Sequence, residues 1–357
     1  MKEKVVVALS GGVDSSVAAA LALEAGCEVV GATLRLKHPD PAFSGAQLCA
    51  SEQDEAAIAQ VVRTLGIEHR FLEGFDRFRS CVLEPSAREY MAGRTPNPCC
   101  ICNLLVKFGM LIEFAREIGA SRVLTGHYAK LEHLPEGVVL RRGDDLRKDQ
   151  SYFLYRLGQR ELSFLSFPVG TLEKEEVRRI ASRFGLVTSQ KPDSQDACFQ
   201  VEGECFGETL RRLCGFAAKP GRFVYRGRTV GRHAGVHQFT IGQRKGLNVA
   251  LGVPAYIAAI DPVSGDIRLE TDPESLLAHE FPVHDLVWQL GTPPEGERME
   301  VQIRYRSRAV PCRIESTGEE RCRVIPDQPL RAVTPGQAAV FYRGDRLLGG
   351  GVIGSCC

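Results

Sequence analysis

A chain of 357 residues is too long for one ordinary domain, so two or three cores are expected. Its 45 basic and 44 acidic residues nearly cancel, which excludes a generic polyanion-coating protein but leaves room for local basic patches. The opening MKEKVVVALSGG has only a short apolar run before turn residues, and no later run reads as long enough to span a bilayer. A soluble, cytoplasmic protein with no membrane partner is therefore expected. In that compartment 13 cysteines, without the even spacing of a secreted scaffold, point to metal or catalysis rather than structural disulfides.

Strand and helix signals alternate through the first half. Val5 to Leu9 is a continuous apolar run, as in a strand covered on both faces. SSVAAALALEAG reads as an alanine-rich helix stopped by Gly26. EVVGATLRL is a second strand, SEQDEAAIAQVVRTLG a second amphipathic helix, and HRFLEG a third strand. A longer helical region runs to about Met91, another is expected from Leu104 to Ile118, and RVLTGH is a short strand. Such alternation predicts a parallel sheet with helices on both faces. After about Cys205 one more helix, FGETLRRLCGF, gives way to short β-rich runs separated by Gly and Pro. These suggest small β domains, the last a barrel. The expected divisions are 1–205, 206–275 and 276–357.

The segment Ala8 to Ser16, ALSGGVDSS, follows the first strand and opens the first helix. Gly11 and Gly12 let the backbone approach a ligand closely, and the helix start directs N–H groups at it, which favours an anion such as phosphate. No lysine precedes the serine pair, and the G-x-G-x-x-G spacing is absent, so two better-known phosphate loops are excluded. The plain alternative is a strand-to-helix turn with Asp14 or Ser15 as N-cap. Further on, NPCCICN (Asn97 to Asn103) places three cysteines in four positions. The residues alone leave it open as a metal clamp, half of a disulfide or a reactive thiol.

The string S-G-G-x-D-S resembles the pyrophosphatase (PP) loop of enzymes that cleave ATP between its α and β phosphates to adenylate a substrate. The strings GRTPNPCCICN, LTGHYA, KDQSYFL, DSQDACF, HQFTIGQRKGL and TPGQAAVFY follow in order. Together they resemble the tRNA-specific 2-thiouridylase family from end to end. That resemblance implies an α/β fold: a Rossmann-like PP-loop domain, a small linking domain, and a C-terminal β barrel that grips tRNA. It implies ATP with Mg2+, and 2-thiolation of the wobble uridine in tRNAs for Lys, Glu and Gln. Sulfur would come from a relay protein or a cysteine desulfurase.

Residue by residue, the resemblance implies that Ala8, Leu9, Ser10, Gly11, Gly12, Val13, Asp14 and Ser15 hold ATP with Leu34 and Gly126, Asp14 lying near the magnesium–pyrophosphate. Asn97, Pro98 and Cys99 would surround the uridine. Cys102 and Cys198 would be the catalytic thiols, Cys198 carrying a persulfide. Lys148, Asp149, Gln150, Arg304 and Tyr305 would contact tRNA, with His127 and Gln337 positioning it. Replacing a carbonyl oxygen by sulfur needs an activated oxygen, a sulfur nucleophile and a way to release sulfur, which two thiols can supply.

One departure matters. Many family members carry aspartate after N-P, whereas this chain has Cys99. Cys99, Cys102 and Cys198 would make a three-thiolate set suited to a [4Fe–4S] cluster with one open iron. Cys27, Cys81, Cys214, Cys312 and Cys322 read as small buried hydrophobes; no role is assigned to Cys49, Cys100 or Cys205. The rival readings are another adenylating enzyme, which would leave the cysteine motifs without a purpose, and a non-catalytic RNA-binding protein with a structural metal.

Overall fold

The structure, a computed structural model, describes residues 2–36, 52–192, 203–293 and 296–355. Strand β1 (Lys4–Ala8) is the centre of the first sheet, with Val5, Val6 and Val7 at most 1 % exposed. It pairs in parallel with β2 (Glu28–Arg35) on one side and β4 (Arg122–Leu124) on the other. Strand β3 (Glu68–Glu73) and the short strand Leu165–Ser166 complete the order β3-β2-β1-β4-(165–166), all parallel. Chain order reverses between β1 and β4, and a ligand crevice is expected outside the carboxyl ends of those two strands.

Helix α1 (Val13–Glu24) is alanine-rich because almost all of it is buried. It ends on Gly26, whose φ of +83° lets the Gly26 and Cys27 N–H groups turn back to the carbonyls of Leu23 and Ala22. Helix α2 (Glu52–Leu65) joins β2 to β3. Residues 75–91 form helix α3, as the sequence suggested. Helix α4 (Pro98–Glu117) departs from expectation, for it begins at Pro98 rather than Leu104. Proline at the first helical position lacks only an N–H that would have had no partner there. The cysteine string is thus a helix start and not a loop. By length and composition α4 could cross a membrane, contrary to the expectation that no run would. Its apolar face is used in the core instead, with Phe108, Leu111, Ile112 and Ala115 packed against Val6 and Val123.

Helices α5 (Lys174–Arg183) and α6 (Phe206–Cys214) follow. A four-stranded sheet spans residues 221–270 around Phe223, Ile257, Ile267 and Leu269. Beyond it lies a barrel, closed where Phe281–Trp288 pairs with the last strand, Arg346–Ile353. A hairpin from the first half, β5 (Ala129–Leu134) and β6 (Gly137–Arg142), adds to that barrel through the Arg141–Arg346 pair. No element was expected at 129–142, because a short hairpin gives little periodic signal.

Candidate active site

The glycine segment lies at the carboxyl end of β1. Gly11 has φ +76°, and a Cβ there would come within 2.9 Å of the Asp54 side chain and 3.0 Å of its carbonyl oxygen. The N-cap of α1 is Gly12, not Asp14 or Ser15, and no side chain caps the helix. Ser15 is used inside the turn: its Oγ accepts from the Ser10 N–H at 3.2 Å and donates to the Gly12 carbonyl at 3.0 Å. Across the switch point, a Cβ on Gly126 would lie 2.5 Å from the Asp14 carbonyl carbon and 2.6 Å from the Ser15 nitrogen. Only glycine permits that approach.

Asp14 is released from capping and bonded from elsewhere. Tyr128 donates its hydroxyl to Oδ1 at 2.8 Å, and Lys174 at the start of α5 reaches the two carboxylate oxygens at 2.7 and 2.9 Å. Lys191 donates to the Gly11 carbonyl at 3.0 Å and pairs with Asp54. Tyr128, Lys174 and Lys191 were not singled out from the sequence. KDQSYFL and DSQDACF drew attention to neighbouring stretches, but lysine–aspartate pairs 137 or 160 positions apart leave no local signal.

Beside Gly126, the His127 ring packs edge-on to Phe167 and tilted on Phe108, with Nδ1 2.7 Å from the Thr125 hydroxyl. Burial holds its pKa well below the usual imidazole range, and the nearby Lys107 charge acts the same way. The ring is therefore neutral at physiological pH, able to hydrogen-bond but carrying no charge toward a phosphate. Phe108 lies six residues after Cys102 on α4.

At the start of α4, Cys99 is half-buried and Cys102 is 9 % exposed. Three residues apart on a helix, they share a face. Cys102 packs with Phe78, Val82 and Tyr90, and Leu34 at the end of β2 packs against the same cluster. The expected nucleotide edge and the expected catalytic thiol thus meet in one apolar group. Cys100 belongs elsewhere. It is 2 % exposed within the core around Tyr152 and Tyr155, where burial pushes its thiol far up. From Cys102 to Phe108 the helix widens into π-type turns, a distortion frequent at functional sites.

The segment leading into α4 is held by distant parts of the chain. Thr95 donates its N–H to the Pro335 carbonyl at 2.8 Å and its hydroxyl to that of Thr240 at 3.1 Å. Gln337 donates Nε2 to the Thr95 carbonyl at 2.8 Å, and a Cβ on Gly336 would come within 3.0 Å of the Thr95 backbone. The Asn97 side chain bonds to the Tyr152 hydroxyl, and Asn103 donates to the Phe153 carbonyl at 3.1 Å.

The expected RNA contacts are placed unequally. Lys148 is half-buried in the loop after β6, and Gln150 accepts from the Tyr128 N–H at 3.0 Å. Asp149 is 7 % exposed; its carboxylate accepts from Arg142, from the N–H groups of Gly143 and Ser151, and from the Ser151 hydroxyl. That carboxylate serves the fold. Arg304 likewise donates inward, to the Ala332 carbonyl at 2.6 Å and the Thr334 hydroxyl at 3.0 Å. Tyr305 stacks on Phe153 at 4.4 Å between centroids and is partly exposed. Among the described residues no cluster of three or more His, Cys, Asp or Glu could hold a metal. Cys198, the third thiol of the expected cluster, lies outside the described residues, as do Cys49, Cys356 and Cys357.

Comparison with known proteins accords with this arrangement. Residues 3–202 match the family described as tRNA methyl transferase HUP domain, 212–269 its PRC-barrel domain, and 278–353 an aminomethyltransferase beta-barrel domain. A tRNA-specific 2-thiouridylase of Trichlorobacter lovleyi is 41% identical, over 99% of this chain and 98% of its own length. Those of Carboxydothermus hydrogenoformans and Synechococcus are 40% and 42% identical, over 99% and 98% of this chain and 98% and 97% of their own lengths.

Proposed function

The chain belongs to the tRNA-specific 2-thiouridylase family, and on that premise we propose that it uses ATP to replace the C2 oxygen of a tRNA uridine with sulfur. The observation that carries this reading is the convergence at the sheet's switch point. The glycine turn is approached by Gly126 too closely for any side chain there, and Leu34 shares its apolar cluster with Cys102.

In this reading the uridine O2 attacks the α-phosphate of ATP, the α–β anhydride bond breaks, and pyrophosphate leaves with the electron pair. C2 then bears AMP, a far better leaving group than oxide. Asp14 is the carboxylate that would hold Mg2+, which supplies charge neutralisation for the phosphates when bound. Neutral His127 and the Asn97–Cys99 turn orient the base. The outer sulfur of a persulfide on Cys198 attacks C2 and AMP departs. The Cys102 thiolate then attacks the inner sulfur, the persulfide S–S bond breaks with its electron pair on the outer sulfur, which stays on C2 as C=S, and a Cys102–Cys198 disulfide forms. An external dithiol reduces it.

The shared helical face of Cys99 and Cys102 favours a second reading of the same pocket, in which these two and Cys198 hold a [4Fe–4S] cluster that binds sulfide. The described residues supply two of the three thiolates. The RNA would be a wobble-uridine tRNA for Lys, Glu or Gln, held in part by Lys148, Gln150 and Tyr305. The sulfur donor would be a relay protein or a desulfurase, and the setting the cytoplasm.

Incubation with ATP, tRNA and a persulfide donor should yield AMP and 2-thiouridine, and Cys198→Ser should abolish the thionucleoside. Thionucleoside made by that variant would overturn the assignment. Iron and sulfide analysis after anaerobic purification separates the two carriers: full activity without iron excludes the cluster.

A further inference from the structure

Lys107 lies on α4 inside the π-type turns of Cys102–Phe108 and is half-buried. Among the described residues, nothing accepts a hydrogen bond from its ammonium or pairs with its charge. Other lysines that the fold covers are treated differently, for Lys130, Lys174 and Lys191 each rest on an aspartate. Taking an ammonium out of water without a partner is costly, so the position calls for an anion. Its neighbours on α4 say where that anion would lie. Val106 packs in the cluster of Cys102, and Phe108 in the core on which the His127 ring rests. Lys107 stands between the two, and its charge is felt at His127. In a regular α-helix the fifth residue after Cys102 would stand about 140° round the axis from it. Turns closed by i→i+5 bonds bring that residue back toward the line of Cys102.

Adenylation puts one phosphate in this interval. Once O2 has attacked, the α-phosphate joins the uridine to adenosine, and it must lie between the glycine turn, marked by Gly126, and the thiols. His127, next in the chain to Gly126, is neutral and brings no cation there. We propose that Lys107 binds the α-phosphate of the adenylated uridine and holds AMP as it leaves. The inference rests on the adenylation reading above and adds to it the cation of the second step. In that step the sulfur nucleophile bonds to C2, the C2–O2 bond breaks, and O2 keeps the electron pair as a phosphate oxygen of AMP. The phosphate thereby gains one negative charge. Lys107 keeps its proton and donates N–H bonds to the phosphate where that charge develops. The same contact serves whether the sulfur comes from a persulfide or from a cluster.

Calorimetric binding of AMP, and separately of adenosine, tests this without requiring turnover, because the two ligands differ by the phosphate alone. Lys107→Met should weaken AMP about tenfold to a hundredfold, the worth of a charge-assisted hydrogen bond, and leave adenosine within about twofold. Lys107→Arg, which keeps the charge, should restore most of the AMP affinity. Since the ammonium leaves no partner behind, Lys107→Met should also keep the urea midpoint of the unaltered chain. Unchanged AMP affinity overturns the proposal. So does adenosine affinity falling in parallel, or a lowered midpoint, either of which would mark the lysine as a support of the fold. Failure of the adenylation reading is distinct: the unaltered protein would then bind neither ligand and form no AMP with tRNA.

Discussion

The glycine turn and the cysteine turn are both starts of helices, yet they are held in opposite ways. Gly11 to Ser15 is stabilised by its own serine and by groups of the same α/β domain, namely Gly126, Tyr128, Lys174 and Lys191. Asn97 to Cys102 packs within that domain too, against Tyr152, Phe78 and Val82, but the residue leading into it is held from outside. Thr95 is bonded to Pro335 and Gln337 of the barrel and to Thr240 of the middle sheet. A nucleotide site assembled within one domain can form before the others dock. The segment that leads into the thiols has partners in all three domains.

Breaking the first region should have the largest effect. In Gly126→Ala the new methyl would overlap the Asp14 and Ser15 backbone, moving the turn, and AMP formation should fall roughly a hundredfold. A loss below about threefold would mean that the close approach is not needed. The loop after β6 offers a contrast between fold and contact. Asp149→Ala removes the carboxylate partner of the largely buried Arg142 and the acceptor for Gly143 and Ser151, and should cost about 3 kcal/mol in urea unfolding, whereas Lys148→Ala should cost less than Asp149→Ala and weaken tRNA in a salt-dependent way.

Gln337→Ala sharpens the comparison most directly. Loss of its bond to Thr95 should lower thionucleoside kcat about fivefold while the KM for ATP stays constant, because only the cysteine turn depends on it. A rise in the ATP KM would show that the two regions are not independent. Within the cysteine turn, Cys100→Ala should cost about 1 kcal/mol of stability and leave the chemistry intact, since the thiol is core packing. The smallest effect concerns pH. Burial lowers the His127 pKa below 6.5, so the unfolded chain binds the proton more readily, and this residue's contribution to stability is lost as pH falls below that value. His127→Gln should flatten the urea midpoint between pH 7.5 and pH 5.5; an unchanged slope would assign the dependence to His69 and His233, which burial also lowers.

Much of the first domain was legible because its signals are local. The Val5–Val7 run, the alanine-rich helix and Gly26 each act within a few residues, and periodicity reports such elements well. The start of α4 was not legible, since a proline followed by three cysteines carries no apolar period. Nor was the 129–142 hairpin, whose partner strand lies some 200 residues on. Among the expected site residues, Gly126 lies against the glycine turn, while the His127 ring packs on Phe108 and Phe167. Asp149 and Arg304 were grouped with the RNA contacts because the family resemblance implied it. Burial decided otherwise, turning both toward backbone and hydroxyl groups of the protein.

The alternation of strand and helix in the first domain and the glycine turn were determined by the sequence alone, because backbone preference and apolar period act over a few residues, while the family rested on the ordered strings from GRTPNPCCICN to TPGQAAVFY. Tertiary structure decided which of the neighbouring cysteines is core and which share a helical face. It also brought Lys174 and Lys191 to the turn and set Gln337 against Thr95. Those outcomes depend on packing between segments far apart in the chain, where only the folded geometry determines which charge is buried and which partner it meets.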